Sequence, residues 1–357
     1  MTTQYSFPSG LNVWVPRYDV EGGLLTGFSR NVNSYPLNRY SQLVPVAKPT
    51  GYYGVWNSRQ FLRVRESNIS DFIWAPGQPR PNGSWNTEAF SFVYYEAERY
   101  DFPVILDQQA VNLADFAILS AHTEMLGDQC MLARTINAAT TLSNVSWGTH
   151  TATATTASAA APSGGGYFNV GTDSNPVILA AFQYGWTQIN QDTGGSVNPD
   201  QTVFVVSVPG AAKMASSGEV HAYVKSSPFA QAALRGDSAS LNAGWGLPDM
   251  LYGSRIVVEN TVQDTSQKSA TFGSDTLAYV YPDTTTYLLS RPGALVGVEG
   301  TPSWSTLIGL FYQEMQTETF SDPKDRLTEV HVSDYYVYIV SPVGQYSGFQ
   351  FTASFAA

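Results

Sequence analysis

The first 58 residues set the hardest condition on this chain. They show neither the 3.6-residue period of an amphipathic helix nor the alternation of a half-buried strand. Prolines (Pro8, Pro16, Pro36, Pro45, Pro49) are threaded among aromatics (Tyr5, Trp14, Tyr18, Phe28, Tyr35, Tyr40, Tyr52, Tyr53, Trp56). A disordered tail would be poor in aromatics, so this segment is expected to lie extended against a surface. Tyr and Trp offer large contact area at low rotamer cost. Trp14, Tyr18, Tyr52, Tyr53 and Trp56 are therefore candidate interface residues.

Charge sharpens the point. Lys and Arg number 18 against 29 Asp and Glu, a net −11, and charged residues are only 13% of the 357. Soluble domains usually carry about 25%. A surface so acidic is a poor general binder of nucleic acid, which needs clustered Lys and Arg. The imbalance is also uneven: residues 1–100 hold nine basic and seven acidic residues, net +2, and the remainder nine against 22, net −13. A mildly basic leading part can lie against the acidic body of another copy with favourable Coulomb energy. A shortage of charge is the first sign of an assembly subunit.

A single cysteine, Cys130, excludes an intramolecular disulfide framework and a cysteine-rich zinc site. The opening MTTQYSFPSGLNVWVP has no basic region or apolar run of signal-peptide type, and no run nears the roughly 18 apolar residues of a membrane span. The expectation is a soluble protein of a reducing compartment, in which the sequons at Asn68, Asn82 and Asn144 carry no meaning.

Two strand-like stretches, Gln60–Trp74 and Glu88–Val104, flank the proline- and glycine-rich Ala75–Asn86, so a long β-hairpin is expected. Such a ribbon is marginal alone and needs a partner surface. Trp74, Arg59, Arg63, Arg65 and Arg80 join the interface candidates, the arginines for ion pairs between subunits. Asp107–Asn144 is the one long helical signal, with Asp107 as N-cap and an apolar stripe through Val111, Ala114, Ile118, Ala121, Met125, Leu132, Ile136 and Ala139, widened by Leu119 and Leu126. His122 and Cys130 fall within it and read as packing. A low-complexity stretch, Trp147–Tyr167, permits a strand by its Thr/Ala alternation. A second helix is expected over Pro176–Gln191, left at Gly194-Gly195. From Pro199 the pattern turns α/β: Thr202–Val208 is a continuous apolar strand covered on both faces, followed by helices at Ala211–Lys225 and Pro228–Leu234. Strands are expected at Arg255–Asn260 and Thr276–Tyr281, and again from Leu327 to the end.

Chemistry is sparse. There is no dinucleotide or phosphate-loop glycine motif, no H-E-x-x-H, no G-x-S-x-G and no calcium loop. His122, His150, His221 and His331 are dispersed. His331 and Asp334 lie three apart in an expected strand, hence on opposite faces. No two carboxylates stand out as the pair a glycosidase needs. The reading is of a non-enzyme with no cofactor and no metal.

The order of elements then matters more than any motif: aromatic arm, long hairpin with a Pro/Gly tip, one long helix from Asp107, a strand-rich stretch, an α/β unit opening TVFVVSVPGAAKMASS, and terminal strands. This series resembles the major capsid protein of tailed bacteriophages, the Hong Kong 97-type fold. Pro199–Ser217 looks like that family's axial strand and helix, and Asn242–Asn260 like its later turn and strand. The resemblance implies an α+β chain divided into an extended N-terminal arm (1–58), a long β-hairpin or E-loop (59–104), a peripheral domain (105–198) with a spine helix (107–144), an axial α/β domain (199–312) and terminal strands returning to the peripheral domain (313–357). It also implies an icosahedral shell of hexamers and pentamers around double-stranded DNA held without specific binding. Portal and scaffolding or decoration proteins would be partners, and the chain would be located in the virion after assembly in the host cytoplasm. Two features depart from some members: the arm begins almost at Met1, and Gln60–Phe102 contains no lysine for a covalent cross-link, so the shell is expected to be non-covalent. An encapsulin-like compartment shares the fold and is the alternative. A β-rich carbohydrate-binding or glycosidase module is a third reading.

Overall fold

The computed structural model describes residues 35–55, 73–74, 76–77, 91–113, 118–228, 231–232, 242–266, 276–291, 304–322, 326–340, 342 and 344–356. Trp14, Tyr18, Trp56, Arg59, Arg63, Arg65 and Arg80 lie outside these residues, as do most of the expected strand at 60–74 and of the helix at 228–234.

The described residues open with a helical turn α1 (Leu37–Tyr40), then β1 (Gln42–Pro45) and β2 (Thr50–Val55). The described part of the expected extended arm, residues 35–55, thus contains a helical turn and two short strands. Leu37 and Tyr40 are buried, and β1 lies parallel to β12 (Leu307–Asp322) from Gln42↔Ile308 to Pro45↔Phe311. Elements of four and six residues are too short to show a period, and β1 is held by its partner strand rather than by its own pattern.

A six-stranded sheet has the order β5-β14-β11-β6-β8-β7. Its members are β5 (Thr151–Thr153), β6 (Thr202–Ser207), β7 (Met250–Leu251), β8 (Ser254–Glu259), β11 (Thr286–Ser290) and β14 (Phe349–Thr352). Every residue of β6 is buried, as its apolar run requires. Phe204 and Val206 face a layer made by α4 (Ala154–Ala157), α5 (Val177–Asp192), α6 (Val208–Ala215) and α7 (Gly218–Ser226). Val203 and Val205 face the opposite side, with Tyr287, Leu289, Leu307 and Tyr338. The parallel pairing of β6 and β8 demands a crossover, which α6 and α7 supply. The single helix expected over Ala211–Lys225 is two: Ser217 turns extended (ψ 142) and its side chain accepts from the Val220 amide, starting α7 afresh. The close of α5 is as expected, with Gly194 and Gly195 at positive φ.

The second sheet has the order β1-β12-β13-β4, from β4 (Glu98–Asp107) and β13 (Leu327–Val340) with β1 and β12. β12 was not legible in the sequence, because register shifts at Phe311/Gln313 and Gln313/Gln316 break its alternation. The closing segment is shared between the sheets: β12 and β13 lie in this one, β14 in the other. Two ribbons complete the fold, β2 with β3 (Ser91–Glu96) and β9 (Val262–Asp264) with β10 (Leu277–Tyr279).

The long helix is described as α2 (Gln108–Leu113) and α3 (Ile118–Asn144), and Asp107 Oδ1 accepts from the Gln109 amide at 2.7 Å, the expected cap. The buried side of α3 keeps Ile118 and Leu126 of the expected stripe and departs from it further along. Leu126, Cys130, Arg134, Ala138 and Leu142 are buried, Leu132, Ile136 and Ala139 only partly, and Met125 is exposed. An i, i+4 row is inclined to the helix axis, and a row with arginine at its centre does not read as a core.

Candidate assembly interface

The β2–β3 ribbon pairs Tyr52 with Tyr94 and Gly54 with Phe92. Alternation puts Tyr52, Phe92 and Tyr94 on one face, where they are 69%, 69% and 51% exposed. The Tyr52 and Tyr94 rings meet edge-on, 5.5 Å between centroids. The other face carries Tyr53 and Tyr95. Tyr95 lies across Gly51, where a Cβ would come 2.9 Å from its hydroxyl oxygen, and that hydroxyl donates to the Lys48 carbonyl at 3.2 Å. Burial raises the pKa of Tyr53. Tyr52, Tyr53 and Trp74 are thus the sequence-derived candidates the structure describes, with Tyr52 and Trp74 openly exposed. Phe92 and Tyr94 were read as strand alternation only. Their pairing with Tyr52 depends on a register that starts at Thr50, inside the expected arm.

A buried joint ties α3 to β13. Arg134 Nε donates to Asp334 Oδ2 at 2.5 Å and Nη2 to Oδ1 at 2.9 Å, with side-chain exposures of 8% and 0%. The guanidinium lies over the Phe311 ring, 4.5 Å from its centroid. The Cys130 thiol donates to Asp334 Oδ2 at 3.4 Å, and burial, then the Asp334 charge, push its pKa up to about 12. A thiol so protonated is no nucleophile.

Other polar groups also join distant elements, buried in each case but that of His331, whose side chain is 22% exposed. The Glu219 carboxylate of α7 accepts from the Ile178 and Leu179 amides at the start of α5 and from the Tyr252 hydroxyl, at 2.8, 2.9 and 3.0 Å. Burial raises its pKa and these donors pull it back. Tyr40 holds Glu259 Oε2 at 2.9 Å and the Tyr281 hydroxyl at 3.0 Å. His150 is set between the Gly348 carbonyl (2.9 Å) and Asp192 (2.7 Å), and His331 between Asp101 (2.9 Å) and Glu329 (3.6 Å). Each of these rings has both nitrogens facing oxygen acceptors, an arrangement for pairing elements rather than for activating a neighbouring hydroxyl. His331 and Asp334 do lie on opposite faces of β13. Among the described residues no three His, Cys, Asp or Glu side chains converge on a metal site, and no helix is long and apolar enough to cross a membrane.

The architecture is α+β, with a three-layer α/β unit, a second sheet carrying a long helix, and aromatic ribbons. No family model matches the chain, and no curated protein matches it in sequence. Solved structures do match over nearly its whole length. It is similar to a phage-related protein from Bordetella bronchiseptica RB50, with a TM-score of 0.57 at 13% identity over 90% of this chain and 93% of that one. It is similar to a chain of the bacteriophage PhiM1 mature capsid (0.50, 12% identity, 95% and 92% covered) and to one of the capsid of the cyanophage P-SCSP1u (0.50, 10%, 94% and 92%). The chain has the Hong Kong 97-type fold of tailed-phage capsid proteins.

Proposed function

We propose that this chain is the major capsid protein of a tailed bacteriophage, assembling with itself into an icosahedral shell around double-stranded DNA. The observation that carries this reading is a fold likeness to phage capsid subunits that covers more than nine-tenths of both chains. The exposed aromatic face of the β2–β3 ribbon supports it, since a two-stranded ribbon with aromatics on both sides gains stability only by docking. Obligate assemblies bury upwards of about 2,000 Å² per interface. Tyr52, Tyr53 and Trp74, with Trp14, Tyr18, Trp56 and the arginines Arg59, Arg63, Arg65 and Arg80, would supply part of it. Contacts that are weak singly become strong when closed rings of hexamers and pentamers repeat them. An acidic body repels packaged DNA rather than gripping it, which suits a genome that must leave. The chain would be virion-located after assembly in the host cytoplasm, with a portal and scaffolding or decoration proteins as further partners.

Negative-stain microscopy of particles from the native source tests the reading. Closed shells holding nuclease-protected DNA are expected. Shells loaded with protein and free of DNA would instead support an encapsulin-like compartment, and isolated compact monomers would overturn both. Boiling in detergent should give one band of monomer mass, because no lysine lies between Gln60 and Phe102.

A further inference from the structure

One face of the β4–β13–β12 sheet packs on α3, with Val330, Val332 and Asp334 turned to the helix. The residues between them turn the other way. On that outer face the register sets Pro103 and Glu318 opposite His331, and Ile105 and Phe320 opposite Glu329. His331 Nδ1 is 2.9 Å from Asp101 Oδ2, its Nε2 is 3.6 Å from Glu329 Oε2, and the Phe320 ring meets it edge-on with centroids 5.5 Å apart. Two carboxylates, Asp101 and Glu329, thus hold the imidazole and Glu318 stands opposite it on the third strand, with Ile105 and Phe320 on the same face, 61% and 52% exposed. Asp107, opposite Leu327, adds an acid at one end of this face, and Arg99, opposite Tyr335, a base at the other.

An acidic face with apolar flanks fits a strand that carries cations and an aromatic on one side. The sequence holds such a stretch, RQFLRVR at 59–65. Laid as a strand it would turn Arg59, Phe61, Arg63 and Arg65 to one side, about 7 Å apart, the same step as alternate residues of the accepting strands. We propose that this sheet face seats the Arg59–Arg65 stretch of a second copy of the chain, and that the seating is proton-linked because the arriving guanidinium groups and the His331 ring compete for the same carboxylates. The proposal rests on the shell reading and names one of its contacts.

The direction of the linkage follows from charge. In the free subunit the hydrogen bond and charge of Asp101, aided by Glu329, outweigh desolvation and raise the pKa of His331 above 6.5. A guanidinium is charged at every relevant pH, and its approach disfavours the imidazolium. Docking therefore expels a proton. Association strengthens as pH rises through the ring's titration, by up to about tenfold per pH unit for one proton released, and weakens on acidification.

The test uses the full chain, with assembly followed by sedimentation and light scattering from about pH 5 to about pH 9. Wild type is expected to assemble more strongly as pH rises, and His331→Gln to assemble with that slope flattened. Glu318→Arg and Arg63→Glu are each expected to weaken assembly by about tenfold or more, and the double variant to recover most of it. Glu318→Gln is a milder second variant should Glu318→Arg not fold, with the thermal midpoint as the check. Shells that form with no pH slope, a slope retained in His331→Gln, or a double variant no better than the worse single one would overturn this proposal alone. A charge swap that rescues the thermal midpoint of a protein that stays monomeric would place the seat within one chain, and would also overturn it. Failure of wild type to form shells at any pH would overturn the shell reading and this proposal with it.

Discussion

Replacing Arg134 with Met tests whether the α3–β13 joint is a charge pair that holds only when both members are present. The change keeps a long apolar stem but removes the two hydrogen bonds to Asp334 at 2.5 and 2.9 Å. It leaves a carboxylate whose side chain has 0% exposure, with the weak Cys130 thiol as its remaining donor among the hydrogen bonds described here. Breaking one side of a buried pair typically costs about 3–5 kcal/mol, and loss of the guanidinium over Phe311 adds about 0.5–2 kcal/mol. With a urea slope of about 3 kcal/mol/M, the first cost alone lowers the unfolding midpoint by roughly 1–1.7 M. Tryptophan fluorescence of dissociated subunits in urea measures this, since Trp186 packs against one main core and Trp147 is buried in the other. The double variant Arg134→Met/Asp334→Leu removes both charges and should return to within about 2 kcal/mol of wild type, because an apolar replacement escapes the desolvation penalty. A single variant that loses less than about 1 kcal/mol, or a double variant as unstable as the single, would refute the reasoning.

The remaining expectations divide between fold and assembly. Replacing Tyr52, Phe92 and Tyr94 together with Ser should leave the thermal midpoint of the subunit within a few degrees of wild type and abolish shells in the microscope; shells of normal yield would show that this face is not used. Glu219→Ala leaves the Ile178 and Leu179 amides and the Tyr252 hydroxyl without their shared acceptor, and should cost about 2–4 kcal/mol in urea unfolding. The His331 pair should affect the dissociated subunit in the sense opposite to assembly. Its folded pKa is raised, so its stabilisation is fully present below the ring's unfolded pKa and fades as pH rises through the folded one. The thermal midpoint of His331→Gln subunits, scanned over that window, should lose this dependence.

Where one element buries a whole face, the sequence was a sound guide. Thr202–Ser207 reads as a two-sided strand because all six of its residues are buried. Asn175-Pro176 and Gly194-Gly195 bracket α5, with Pro176 one residue before its first turn and the two glycines at positive φ after its last. The reading failed where a partner decides the structure. β1 and β2 carry too few residues to show a period and are fixed by β12 and β3. The bulges of β12 scramble its alternation. The row of α3 that meets the sheet has Arg134 at its centre, and its licence to be there is Asp334, 200 residues away. Of the exposed aromatics, Tyr52 and Trp74 were legible as candidates because large aromatics with no covering periodicity call for a surface to lie against. Phe92 and Tyr94 were not, since only the ribbon's register puts them beside Tyr52.

The scarcity of charge noted in the sequence takes on a further meaning once the buried groups are located. Arg134 and Asp334 join α3 to β13, Glu219 joins α7 to α5, and Glu259 lies under the Tyr40 and Tyr281 hydroxyls, all at 7% exposure or less. Each is a polar bolt between elements distant in sequence, and each draws on a chain with only 13% charged residues. A buried ion pair adds little net stability against an apolar substitute but penalises every arrangement that separates its members. The fold thus gains a fixed relation between its long helix, its two sheets and its helical layer, which the proposed assembly of identical neighbours at repeated angles would require. What remains outside is acidic, thinly charged and aromatic, a surface that water alone covers poorly. The same allocation of charge that fixes the inside of the subunit leaves its outside thinly charged, which the proposed assembly would cover.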